Sequence, residues 1–151
     1  GMSYKFQDCL SRRGVVKRPA SRETVEREFA EAKGDLESAK KSLLESDFKW
    51  TIIKAYYSMF HACKSLLFSA GYVEKNHECL SAAIEELFTD RGLLPSTIIS
   101  DLRRAKIVRE AADYGLTYGE ASAKGTVQDA EQIFEVVSSY LAKQGFEAPP
   151  P

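Results

Sequence analysis

The strongest constraint on the fold is a long segment without proline, between Pro19 and Pro95, in which apolar residues recur at helical spacing. Within it, residues 22–45 carry apolar side chains three and four positions apart, along a single stripe. Such a period is typical of an amphipathic helix that buries one face. Because strands require a period of two, the segment predicts long helices and not a sheet.

The next helix, predicted over residues 48–70, is apolar around most of its circumference, so we expect it at the centre of the molecule. Three further helices are predicted over residues 77–88, 96–114 and 126–143. Thr126 and Asp129 resemble a capping box at the start of the last one. The sequence therefore predicts an all-α fold, a five-helix, mostly antiparallel up-and-down bundle.

The sequence divides into a bundle and two flanking segments. Residues 1–20 are an N-terminal extension with a possible short helix that would dock through Phe6 and Cys9, followed by a linker. Residues 21–144 form the predicted helical bundle. Residues 145–151, which end in three prolines, are predicted to be a disordered tail.

Composition narrows the possible compartments and partners. The formal net charge of −1 excludes nucleic-acid binding over the whole surface, although a local basic patch stays possible. No apolar run is long enough to span a membrane, and the N-terminus lacks the apolar core of a signal peptide. The three cysteines are odd in number and widely spaced, which predicts reduced thiols and a cytoplasmic protein.

Both histidines are candidates for binding. His61 lies in a thin polar line on the central helix, and its simplest interpretation is a core residue whose ring is hydrogen-bonded. His77 stands at the start of a short helix, where a capping or surface role is the simplest alternative. The sequence has no pair of histidines at i, i+4 and no closely spaced cysteine pair, so it predicts no metal site and no cofactor.

The densest charged segment is residues 101–115, which read D-L-R-R-A-K-I-V-R-E-A-A-D-Y-G. Arg103 and Arg109 could bind phosphate, and Arg109 can pair with Asp113 one turn later. Tyr114 could stack on a base. The alternative interpretation is a solvated helix face, which charged runs usually form.

Two strings in the sequence resemble a known family. A-Y-Y-S-M-F-H-A at positions 55–62 and R-E-A-A-D-Y at positions 109–114 are similar to the HEPN family of helical domains, and closest to its small stand-alone prokaryotic members. The resemblance covers residues 25–141. It implies a five-helix bundle that commonly forms homodimers.

The same resemblance implies a functional context. Many HEPN proteins are ribonuclease toxins paired with a small nucleotidyltransferase antitoxin, and their active site is an arginine followed four to six residues later by a histidine. In this sequence Tyr114 stands where that histidine would be, and no histidine follows His77. We therefore assign no catalytic residue.

Three hypotheses follow from these observations. The first is a nucleotide-binding, RNA-binding or partner-docking module, the accessory half of a two-component nucleotidyltransferase system. Its binding residues would be Arg109, Asp113, Tyr114, Arg103, His61, Tyr57 and His77. The second is a metal-independent ribonuclease with a rearranged site, in which His61 or His77 is the base and Arg109 the phosphate ligand. The third is a purely structural homodimer in which His61 bonds internally to the Arg109–Tyr114 segment.

Overall fold

The computed structural model describes residues 3–115 and 118–147, and within them it contains six α-helices and one two-stranded sheet. The helices are α1 (Tyr4–Ser11), α2 (Arg22–Leu44), α3 (Phe48–Ser69), α4 (His77–Ile84), α5 (Thr97–Asp113) and α6 (Glu120–Lys143). The strands are β1 (Val15–Lys17) and β2 (Tyr72–Glu74), and a π-helical segment (Glu85–Thr89) continues α4. The predicted all-α class is correct, whereas the count of five helices is too low because α1 also folds.

Helices α2 and α3 begin where the sequence predicts. The Ser21 side chain accepts a hydrogen bond from the backbone N–H of Thr24, and the Asp47 side chain caps α3 by accepting from Trp50. Both bonds satisfy N–H groups that have no partner inside the helix. Helix α3 packs against α2, α5 and α6, so it is the central helix, as its apolar circumference predicts.

The core lies between these long helices. Phe29 of α2 stacks on Phe134 of α6 with ring centroids 4.7 Å apart, and both side chains are buried. Met59 and Leu66 of α3 are fully buried beside them in the same apolar cluster. Burial of each such side chain stabilises the fold by about 2 kcal/mol.

The N-terminal extension docks on α4. The side chains of Phe6 and Cys9 on α1 are buried. The segment predicted as a linker instead forms β1, which pairs antiparallel with β2 and sets Val16 opposite Val73. The linker prediction was wrong because it overlooked that two short valine-containing segments can complete each other's backbone hydrogen bonds.

A disulfide joins Cys9 of α1 to Cys79 of α4. The prediction of three reduced thiols is therefore wrong for this pair, and only Cys63 is a free, buried cysteine. The spacing of 70 positions in sequence gave no hint of the bond, because α1 must first dock on α4 to bring the two sulfur atoms together.

Helix α6 begins six positions earlier than predicted. Thr126 is not its cap, since the Thr126 hydroxyl donates to the carbonyl oxygen of Ser122 inside the helix. Asp129 pairs with Arg104 of α5 at 2.8 Å and takes no part in a capping box. The first turns were missed because they carry small residues, of which Ala123 is buried.

Part of the predicted tail contacts the bundle. Arg22 at the start of α2 donates a hydrogen bond to the carbonyl oxygen of Gly145 at 2.7 Å, and its guanidinium lies over the Phe146 ring. The final residues, 148–151, lie outside the described part of the chain. Among the helices of the described residues, none has the length and apolar character needed to cross a bilayer.

Candidate functional site

Four side chains from three helices form a cluster, with the buried ring of one tyrosine at its centre. Tyr56 and Tyr57 come from α3, His77 from the first position of α4, and Arg109 from α5, and we call them the Tyr56 cluster. Tyr56 is only 4% exposed. Its hydroxyl oxygen lies 2.9 Å from Nδ1 of His77, and the Arg109 Cζ atom lies 4.7 Å from the centre of its ring.

Arg109 is held on the two tyrosines. Its Nη1 donates a hydrogen bond to the Tyr57 hydroxyl at 3.2 Å, and its Cζ lies 5.8 Å from the centre of that ring. A guanidinium over the face of an aromatic ring is attracted by the ring's negative face. The geometry therefore fixes the position of this cation between α3 and α5.

The predicted pair of Arg109 and Asp113 is present, although it is loose. Nε of Arg109 lies 3.7 Å from the Asp113 carboxylate, and Nη2 lies 3.9 Å from that of Glu110. These distances allow charge attraction but exceed a hydrogen bond, so the buried Nε has no hydrogen-bond partner among the described residues. The positive charge of Arg109 is only partly neutralised.

The start of α4 places His77 in the cluster. The Asn76 side chain accepts a hydrogen bond from the Cys79 backbone N–H at 2.8 Å, which begins the helix and makes His77 its first residue. The His77 ring then stacks on the Tyr56 ring, with 5.9 Å between the ring centroids. Asparagine is one of the residues preferred at this capping position.

Tyr56 and His77 are both neutral near pH 7. Burial raises the pKa of Tyr56 to about 12, in spite of the opposing effect of Arg109. Burial, reinforced by the positive charges of Lys106 and Arg109, lowers the pKa of His77 to about 4. Arg109 is therefore the charged member of the Tyr56 cluster at neutral pH.

A cavity of about 370 Å³ opens beside His77, with walls from α1, α4 and α5. Its positive side chains are Lys5, Arg103 and Lys106, and its carboxylates are Asp8, Glu78, Glu85 and Glu110. The aromatic ring of Tyr4 and the side chain of Ile107 also line it. The cavity thus offers both cations and hydrogen-bond acceptors to a ligand.

The structure brings most of the predicted binding residues to this region. Arg109, Tyr57 and His77 belong to the Tyr56 cluster, Asp113 lies beside Arg109, and Arg103 lines the cavity. Tyr114 follows the last residue of α5 and is 79% exposed.

The His61 ring lies 6.4 Å from the Tyr57 ring between centroids, but the polar partners predicted for it are wrong. Its Nδ1 hydrogen-bonds the carboxylate of Glu28, and its Nε2 lies 3.8 Å from the carboxylate of Asp35. Both acids belong to α2, whereas Arg109 belongs to α5. The hydrogen bond with Glu28 raises the pKa of His61 above 6.5. His61 therefore joins α2 to α3 and does not reach Arg109.

Sequence patterns do not reveal Tyr56 or the cavity wall formed by α1. Tyr56 stands in a helix that is apolar on nearly every side, so helical periodicity does not distinguish it from a packing residue. One general signal was available, because a buried tyrosine hydroxyl usually finds a hydrogen-bond partner. Lys5 and Asp8 gave no signal, since only the docking of α1 brings them to the cavity.

Comparison with known proteins identifies the family. A model of the HEPN domain matches residues 25–141. The chain belongs to the HEPN family. It is also similar to a UPF0332 protein from Archaeoglobus fulgidus, with 33% identity over 111 residues that cover 72% of this chain and 87% of that protein.

Membership confirms the resemblance seen in the strings at positions 55–62 and 109–114. It supports a role connected with nucleotides or RNA. Helix α1 and strand β1 precede the matched region, so one wall of the cavity comes from outside the HEPN match.

Proposed function

We propose that this HEPN protein is a nucleotide- or RNA-binding module that holds a phosphate group in the cavity beside His77. The observation that carries the proposal is the meeting of Arg103, Lys106 and His77 at one cavity, with the Tyr56 cluster next to it. Arginine and lysine recognise phosphate through charge-assisted hydrogen bonds, and a neutral imidazole adds a further donor.

Arg103 is the cation best placed for a ligand. Lys106 already lies 3.6 Å from the carboxylate of Glu110, and Arg12 lies 3.7 Å from that of Glu78. Arg103 is exposed and makes no ion pair with the residues that the structure describes. Its guanidinium can therefore bind a phosphate without first breaking a pair.

The mixed charge of the cavity favours a nucleotide over a simple anion. Carboxylates repel a bare phosphate, but they accept hydrogen bonds from the amino groups of bases and from ribose hydroxyls. Tyr4 is 82% exposed at the cavity and offers an aromatic face on which a base could stack. A ligand with a phosphate at one end and hydrogen-bond donors at the other matches this lining.

A charge-reversal pair tests the proposal. Arg103→Glu should weaken the binding of AMP and of short single-stranded RNA by about tenfold or more, since a charge-assisted hydrogen bond contributes about 1.5–3 kcal/mol. Arg27→Glu changes the formal charge equally on α2 and serves as the matched control, which should bind like the wild type. Titration calorimetry and fluorescence anisotropy measure both, and equal affinities for the two variants would refute the proposal.

We also propose that the protein forms a homodimer and docks a nucleotidyltransferase-family partner. Support for the homodimer comes from an exposed stripe on α3. In it Trp50 is 50% exposed and Tyr57 is 38% exposed, and the two residues lie seven positions apart. Acidic Glu28 flanks the stripe on the α2 side and basic Arg109 on the α5 side. A two-fold axis through the stripe would bring acid opposite base, and light scattering after size exclusion should report twice the chain mass.

A rearranged ribonuclease is the second candidate. The observation that favours it is the contact of both His77 and Arg109 with the ring of Tyr56, which places a histidine close to an arginine. Cleavage of RNA by the wild type, abolished in His77→Gln, would support this candidate. A clean preparation that leaves several RNAs intact would contradict it.

A further inference from the structure

We infer that Tyr56 is a positioning residue that holds His77 in the tautomer with its hydrogen on Nε2, so that His77 donates a hydrogen bond to a ligand oxygen in the cavity and does not act as a base. The inference rests on the proposed phosphate site and defines the role of one of its residues. It also concerns a residue, Tyr56, that sequence patterns do not reveal.

The direction of the hydrogen bond follows from burial. Tyr56 is 4% exposed, and among the described residues His77 is the one hydrogen-bond partner of its hydroxyl. If His77 donated from Nδ1, the hydroxyl hydrogen of Tyr56 would be buried without an acceptor, which costs about 1–3 kcal/mol. The hydroxyl therefore donates and Nδ1 accepts. In a neutral imidazole, the hydrogen then resides on Nε2.

The charges around His77 keep the ring neutral. On its own helix the cavity carries Glu78 and Glu85, and from α3 the facing group is Tyr56. From α1 come Lys5 and Asp8, and from α5 come Arg103, Lys106, Arg109 and Glu110. Burial and the α5 cations together lower the pKa of His77 to about 4, so the ring carries one hydrogen at neutral pH.

Tyr56 itself is held in place by Arg109. The Arg109 Cζ atom lies 4.7 Å from the ring centre, and the His77 and Tyr56 rings are inclined by only 27°. Because the tyrosine ring cannot turn freely, its hydroxyl stays directed at Nδ1. Tyr56 thus links the cation of α5 to the imidazole of α4.

This arrangement decides what His77 can do chemically. A general base needs an unprotonated nitrogen within reach of the substrate proton. Here the lone pair of Nδ1 is engaged by Tyr56, and Nε2 bears a hydrogen. His77 is suited to donate to an oxyanion such as a phosphate oxygen, beside the cations Arg103 and Lys106. The same geometry argues against His77 as the base of a ribonuclease.

The tautomer can be measured without any ligand. Two-bond ¹H–¹⁵N correlation spectra of ¹⁵N-histidine-labelled protein at pH 7 should show His77 with a protonated Nε2 and an accepting Nδ1. The chain has only two histidines, so a His61→Gln sample assigns the signals. A spectrum with the hydrogen on Nδ1 of His77 would overturn the inference.

Two tyrosine variants separate positioning from general packing. Tyr56→Phe keeps the ring beneath Arg109 but removes the hydroxyl, so the Nδ1 signal should change and the titration midpoint of His77 should rise. Tyr140→Phe removes a hydroxyl on α6 from a side chain that packs on Phe88 and lies outside both the cavity and the Tyr56 cluster, so both readouts should match the wild type. Thermal unfolding checks that each variant is folded, and identical His77 spectra for wild type and Tyr56→Phe would refute the role of Tyr56.

Binding of inorganic phosphate and AMP completes the test. Tyr56→Phe should bind both about fivefold more weakly, as expected for one misplaced neutral hydrogen bond, whereas Tyr140→Phe should bind both like the wild type. If the wild type binds neither, the proposed function fails together with the ligand role of His77. If the wild type binds both but His77 carries its hydrogen on Nδ1, the proposed function stands and this inference fails.

Discussion

The Cys9–Cys79 disulfide should contribute a large part of the stability of this small protein. The bond closes a loop across 70 positions of sequence, from α1 to α4. The loss of chain entropy in the unfolded state for a loop of this length corresponds to about 4 kcal/mol. Replacing both cysteines by alanine avoids placing new hydroxyl groups at two buried positions, so the double variant isolates the effect of the cross-link.

Urea denaturation followed by circular dichroism measures the effect. With an m-value of about 2 kcal/mol per molar urea, the midpoint should fall by about 2 M in Cys9→Ala/Cys79→Ala. Dithiothreitol should lower the wild-type midpoint similarly and leave the double variant unchanged. Cys63 does not confuse the comparison, because its thiol is fully buried and its pKa is raised to about 12. A wild-type midpoint that is insensitive to reductant would refute the reasoning.

Two further predictions concern stability. Gly14→Ala should destabilise the fold by about 1–3 kcal/mol, because the added Cβ would lie 2.5 Å from Sγ of Cys79, whereas Gly34→Ala, with no atom within 4 Å, should stabilise α2 by about 1 kcal/mol. The hydrogen bond with Glu28 raises the pKa of His61. The stabilisation of the fold by this pair is therefore complete below pH 6.5, and it is lost as the pH rises through the raised pKa of His61. Glu28→Gln should therefore flatten the pH profile of urea midpoints above 6.5, and an unchanged profile would contradict this prediction.

The long helices were predictable because their evidence is local. Helix α2 carries an uninterrupted apolar stripe and a serine cap, and α3 begins at an aspartate cap and is followed by Gly71, whose φ of 88° suits glycine. Each of these signals is contained within a few residues of the element that it predicts. The early turns of α6 lack such signals, since Gly119 caps the helix without a side-chain hydrogen bond.

Contacts between distant segments were not predictable in the same way. The disulfide, the β1–β2 pair and the wall formed by α1 all depend on where residues 3–17 dock, and no local pattern specifies that position. His61 illustrates the limit within one helix. The sequence places it one turn from Tyr57, but only the packing of α2 and α5 on α3 gives the two residues different partners.

The two histidines show why burial and partners, and not residue type, determine function here. His61 has carboxylates at both ring nitrogens, which favour its charged form and make it an ion-pair partner that joins α2 to α3. His77 faces a buried hydroxyl and the cations of α5, which favour its neutral form and make it a hydrogen-bond donor. Because α1 walls the cavity beside His77 and is joined to α4 by the disulfide at Cys79, the N-terminal extension and the HEPN bundle together line one cavity.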